Sequence, residues 1–110
     1  MPSYSKNEVV LVRYPFSDLS SSKIRPAVIV NAPHSSQDVL FVPLTSRTAP
    51  LLSGEFALTD WKQAGLNIET AVKRGIFTIH QRLILQSVGK LADAEAGKLD
   101  GSLRDWLGLR

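Results

Sequence analysis

Arg25 stands directly before Pro26 in the apolar stretch "KIRPAVIVNAP", and Thr45, Ser46 and Arg47 close the stretch "DVLFVPLTSR". These residues have the chemistry to hold a phosphate. Pro26 restricts the residue before it to extended backbone, which fixes Arg25 at the start of a strand. A guanidinium so fixed can grip a phosphate through two parallel hydrogen bonds. Lys23, two residues earlier on the same face, extends the positive patch. The hydroxyls of Thr45 and Ser46 can donate to phosphate oxygens, and Arg47 adds a further cation. Each feature also has an ordinary explanation. An arginine at a strand end commonly meets a carboxylate, and hydroxyl pairs commonly end strands by bonding to backbone. If the two strands pair, both ends open on one site; the sequence alone does not fix that pairing.

The two histidines, His34 and His80, are the side chains suited to proton transfer near neutrality. His34 sits in the turn "PHSS", where an exposed histidine is the usual explanation. His80 follows the strand-like "GIFTI" and is the histidine placed to touch a substrate. No carboxylate stands at ligand spacing from either, so no metal site is expected. Glycine-rich phosphate loops, nucleophile elbows and paired carboxylates are absent as well. Trp61 and Trp106 read as core or interface residues. Phe16, beside a serine-rich loop, is the better candidate for stacking on a base, with core packing as its alternative.

The elements that position these groups are short. "EVVLVRYPF" (Glu8–Phe16), "RPAVIVN" and "DVLFVPLTS" are apolar and β-branched, as strands are. Pro26 belongs near the start of the second strand, and Pro43 marks an edge or a bulge in the third. "SDLSSSK" reads as an exposed loop. "EFALTD" and "TAVKRGIFTI" (Thr70–Ile79) are further strands, separated by a helical turn that Gly65 stops, with Asp60 as its cap. "HQRLIL" fits either a turn of helix or a crossover into the strand "QSVGKL". Asp93 then caps a helix whose Leu99, Leu103, Trp106 and Leu107 share one face. Six or seven short strands and one terminal helix predict a mainly β fold, closed as a small barrel or a sandwich, with the helix over one open face.

A length of 110 residues, 44% of them hydrophobic, fits one domain spanning 1–110, and no repeat or linker divides it. No apolar run reaches the roughly 20 residues of a membrane helix, and the N-terminus lacks the pattern of a secretion signal. The absence of cysteine excludes disulfides and thiolate chemistry and points to the cytoplasm. The net charge is +3 and the pI about 9.5. That balance serves solubility, and it also suits a polyanion, because basic side chains gain affinity by releasing counterions from phosphates.

The order "EVVLVRYPFSDLSSSKIRPAVIV", "DVLFVPLTS", "AGLNIETAVKRGIFTIHQRLILQSVGKL" resembles the MazF/PemK-like toxin family of bacterial type II toxin–antitoxin systems, from Glu8 to Leu91. The resemblance implies an SH3-like β-barrel that forms a homodimer. It implies metal-independent, sequence-preferring cleavage of single-stranded RNA, with no cofactor. The family's catalytic pair would be Arg25 and Thr45, with Lys23, Pro26, Ser46, Arg47, Phe16 and His80 lining the RNA path. The loop Ser17–Ile24 would gate the groove, and a cognate antitoxin would lay a peptide across it. The chain departs from the pattern in "VKRGIFTI", which has no carboxylate where some members carry an aspartate. No acidic catalytic residue is therefore carried over, and proton transfer is left to His80, to a second protomer, or to positioning and charge alone. Two other classes stay open: a non-catalytic SH3-like module that binds RNA or protein, and a gyrase-targeting toxin of the same broad fold.

Overall fold

A computed structural model of the chain describes residues 4–14, 23–31 and 35–109 and, of Tyr14 and Lys23, the backbone only. Among the described residues, seven strands precede one helix: β1 (Glu8–Tyr14), β2 (Lys23–Ile29), β3 (Asp38–Thr45), β4 (Phe56–Ala57), β5 (Ala71–Val72), β6 (Phe77–His80), β7 (Ile84–Lys90) and α1 (Asp93–Leu107). All pairings are antiparallel. The hydrogen-bonded order is β4-β5-β3-β2-β1-β7, with β6 beside β5 on the same edge of β3.

Alternate residues of β1 to β3 face opposite sides of the sheet, and both sides are buried. Val9, Val28, Val42 and Leu44 pack on one side with Leu58, Ala64 and Leu99. Val10, Val12, Ala27, Ile29 and Phe41 pack on the other with Ile79 and Ile84. Double burial explains why these strands read as unbroken β-branched runs.

The implied barrel is only partly realised. In the order β6-β3-β2-β1-β7 the two end strands share the second cluster, so the sheet curls until its ends approach. A three-residue 3₁₀ turn, Gln81–Leu83, joins them, and no ladder forms between them. On the β4 side, packing takes the place of pairing. The turn after β4 lies against β7 so closely that a Cβ on Gly65 would overlap the Val88 carbonyl, and one on Gly89 the Ala64 carbonyl. Gly65 also has φ +88°, which glycine adopts without strain.

Three local expectations need correction. Thr70–Ile79 is not one strand. β5 and β6 both lie along β3, but only two residues of β3 separate the pairs Phe41↔Phe77 and Leu44↔Val72, against four between β5 and β6. The cause is Pro43. Its carbonyl accepts from Lys73 N–H at 3.0 Å, and a strand residue turns its carbonyl and its amide toward the same neighbour. The donor that proline lacks is therefore missing where residues 73–76 bulge away. Pro43 marks a bulge in the partner of a central strand, not an edge. Asp93 is the first residue of α1 and not its cap: Ala92 occupies that position with no side-chain bond. Leu107 is exposed, while Leu99, Leu103 and Trp106 pack against the sheet.

α1 also ties down two loops. Ser102 Oγ donates to the Gly54 carbonyl at 2.7 Å, and Trp106 Nε1 donates to the Ser53 carbonyl at 3.0 Å. The carboxylate of buried Glu95 accepts from Thr59 N–H at 2.5 Å, from the Thr59 hydroxyl at 3.2 Å and from Asp60 N–H at 3.4 Å. Asp60 is thus held by a carboxylate from the helix.

Candidate functional site

The register of β2 on β3 joins the two strand ends. Ala27 lies opposite Pro43, the last pair of that ladder. Two residues further out along the same register, Arg25 falls opposite Thr45. Cross-strand partners share a face, with Cβ atoms about 5 Å apart where the ladder holds. Here the ladder has ended and the strands frame a cleft of about 600 Å³, lined by Arg25, Pro26, Thr45, Ser46 and Arg47.

Thr45 is half-buried, and its Oγ1 accepts from Arg47 N–H at 3.1 Å. A hydroxyl that accepts through its oxygen keeps its own proton to donate. Arg25 is exposed and, among the described residues, reaches only the neighbouring Ile24 carbonyl, at 3.3 Å. Its fork is open to an anion.

Two cations missed by the reading for a missing aspartate complete the site. Lys73 and Arg74, on the bulge opposite Pro43, line the cleft with Arg25 and Arg47. Among the described residues four positive charges thus converge in one cleft of a chain whose net charge is only +3. No described carboxylate pairs with any of them. The signal was present in the sequence as the succession Lys73-Arg74-Gly75 facing a strand proline.

Glu55 holds the bulge in place. Its carboxylate accepts from Arg74 N–H and from Leu52 N–H, each at 2.7 Å. The bond from Arg74 most, then that from Leu52, lowers its pKa, helped by the charges of Lys73 and Arg74 and opposed by burial. A carboxyl whose folded pKa lies below its free value stabilises the fold above the free value. The brace therefore holds at neutral pH and is lost as pH falls through the lowered pKa.

His80 does not join the site. It pairs with Asp38 at the opposite end of β3 from Thr45, on the order of 20 Å of strand away. Its Nδ1 accepts from Arg82 N–H at 3.1 Å and caps the 3₁₀ turn. The structure gives it a structural role. Lys23 begins β2, but its side chain, Phe16, His34 and most of the loop Ser17–Ile24 lie outside the described residues.

This fold has relatives of known structure. MazF from Deinococcus radiodurans superposes with a TM-score of 0.77 at 17% identity, over 99% of this chain and all (100%) of that one. An endoribonuclease from a mycobacterial species gives 0.75 at 21% identity, over 99% and 95% of the two chains. A mycobacterial endoribonuclease in complex with its cognate antitoxin gives 0.71 at 18% identity, over 100% and 98%. At these identities the likeness is one of fold. No curated protein matches the sequence. The family model of PemK-like, MazF-like toxins of type II toxin–antitoxin systems matches residues 5–107. The chain belongs to the PemK-like, MazF-like toxin family of type II toxin–antitoxin systems.

Proposed function

We propose that this toxin is an endoribonuclease that cleaves single-stranded RNA without a metal ion, with Arg25 and Thr45 as its catalytic pair. The observation that carries the reading is that both line one cleft at the open end of the β2–β3 ladder, where four described cations converge and no described carboxylate forms an ion pair with them. A ribose 2′-oxygen attacks the adjacent phosphorus and the bond to the 5′-oxygen breaks. The products are a 2′,3′-cyclic phosphate and a free 5′-hydroxyl. The proton lost from the 2′-hydroxyl and the one gained by the 5′-oxygen exchange with solvent, since no histidine or carboxylate is among the described lining residues.

Negative charge builds on the phosphorane oxygens as the bond forms. Arg25 meets it with a bidentate fork, and Thr45 donates its hydroxyl. One well-placed donor lowers such a barrier by about 3–4 kcal/mol. Arg47, Lys73 and Arg74 hold the flanking phosphates, with Ser46 as a further donor. The reading includes a cognate antitoxin that competes for this cleft, a homodimeric toxin and action in the cytoplasm, as the family suggests. For the last of these the structure offers one compatible fact: no helix among the described residues is long and apolar enough to cross a membrane.

The test is incubation of the purified protein, with EDTA present, with a long unstructured RNA beside Arg25→Ala. Fragments ending in cyclic phosphate are expected from the native protein alone. Intact RNA from folded, antitoxin-free native protein would overturn the reading and favour a binding module or a gyrase-directed toxin.

A further inference from the structure

The carboxylate of Glu55 has the wrong sign for its surroundings. Glu55 is not among the residues that line the cleft, yet it holds the backbone of one that does. Its Oε2 accepts from Arg74 N–H and its Oε1 from Leu52 N–H, each at 2.7 Å. The bond from Arg74, then that from Leu52, then the charges of Lys73 and Arg74 lower its pKa, so it is ionised at neutral pH beside a site that gathers cations. A negative charge there repels phosphates. A loop that needed only a cap could use a neutral acceptor. Two amides from separate segments demand more. A carboxylate turns one acceptor oxygen to each, whereas glutamine keeps one oxygen and would turn an NH₂ group toward the other amide.

The turn that carries Glu55 is itself fixed. Glu55 N–H donates to the Leu52 carbonyl at 2.9 Å. The two residues between are held by α1, through Trp106 Nε1 on the Ser53 carbonyl and Ser102 Oγ on the Gly54 carbonyl. A Cβ on Gly54 would collide with the Trp106 indole, so the turn is seated on the helix. Glu55 carries that rigidity across to the bulge. On its other side the bulge meets β3 through Lys73 N–H and the Pro43 carbonyl. Thr45 lies two residues further along β3, roughly 7 Å of strand. In an extended RNA strand, neighbouring phosphates are separated on that scale.

We propose that Glu55 is a positioning residue for RNA: by holding the Arg74 amide it sets Lys73 and Arg74 as the subsite for the phosphate next to the scissile one. This rests on the RNA-cleaving reading and deepens it. One negative charge outside the cleft fixes two positive ones where the strand passes.

The test compares the native protein with Glu55→Gln, using a short RNA copied from a mapped cleavage site. Every sugar is 2′-O-methylated, so binding is read without cleavage, and affinity is measured at several salt concentrations. One uncharged methylphosphonate linkage is walked along the strand. With the native protein, neutralising one of the two linkages beside the cut should flatten the log–log salt slope by roughly 0.7, the share of one phosphate contact on a single strand. Glu55→Gln should flatten the slope of the fully charged RNA by the same amount, although it makes the protein more positive, and should show no further loss at that linkage. Glu55→Asp keeps the charge but draws it back by one methylene, out of hydrogen-bond range of amides now 2.7 Å away. It should behave as Glu55→Gln does, and it decides the matter alone if Glu55→Gln does not fold. A native or steeper slope in either folded variant would mean that Glu55 acts through its charge or not at all. A loss spread evenly over all linkages would make it a brace of the fold only. Either result, or a native protein indifferent to both linkages beside the cut, overturns the proposal while the nuclease stands. If the folded native protein neither binds nor cleaves RNA, the RNA-cleaving reading fails and the subsite falls with it.

Discussion

The two ends of this molecule treat charge in opposite ways. On the helix side, Lys6 pairs with Asp100 at 3.0 Å. Lys98 and Lys62 lie over the rings of Phe56 and Trp61, and the buried carboxylate of Glu95 accepts three hydrogen bonds from one loop. At the cleft, Arg25, Arg47, Lys73 and Arg74 converge, and no described carboxylate forms an ion pair with any of them. Like charges held together repel, and the nearby carboxylate of Glu55 offsets part of that repulsion at Lys73 and Arg74. The helix end is arranged for stability. The cleft end concentrates positive potential that an external polyanion can neutralise.

That contrast can be broken at either end. The largest effect on stability is expected at Glu95. Glu95→Ala strips the partners from Thr59 and Asp60 in a part-buried setting and should lower unfolding free energy by about 2 kcal/mol. Arg25→Ala should change it by less than about 0.5 kcal/mol, as exposed substitutions do. Urea denaturation of the two variants reads both; an equal loss would mean that the cleft cations also serve the fold.

A smaller and sharper difference separates two lysines. Lys73→Ala and Lys98→Ala each remove one charge. If Lys73 meets a phosphate and Lys98 does not, only the first should flatten the salt dependence of RNA affinity, by roughly 0.7 in the log–log slope for a single strand. Titration of a 2′-O-methyl RNA at several salt concentrations decides it. Equal slopes for the two variants would make the attraction a matter of net charge and not of the cleft.

Much of this was legible in the sequence, for physical reasons that differ by residue. β1 to β3 were visible because both faces are buried, which leaves unbroken β-branched runs. Arg25 and Thr45 stood out because Pro26 fixes one and a strand end presents the other. Their meeting was not legible, since it depends on the register of two strands. The break between β5 and β6 was hidden for a similar reason. Its cause, Pro43, lies about thirty residues away and acts across the sheet through a donor it lacks. Lys73 and Arg74 were therefore read for what they replaced and not for where a bulge would aim them. His80 misled because a histidine beside a glutamine and an arginine suggests chemistry, whereas its ring nitrogen caps a turn. Leu107 matched the apolar spacing of α1, but it lies beyond Trp106, where the helix makes its last described side-chain bond to the loop below.

The central claim is that Arg25 and Thr45 act together on one phosphate. A double-mutant cycle of single-turnover RNA cleavage, with Arg25→Ala, Thr45→Ala and the pair, tests it most directly. Groups that work as a unit give losses that do not add. The account predicts that each single variant is slowed about a hundredfold or more and that the double variant is scarcely slower than the worse single. Losses that multiply in full would show two residues acting independently, and would contradict the shared site.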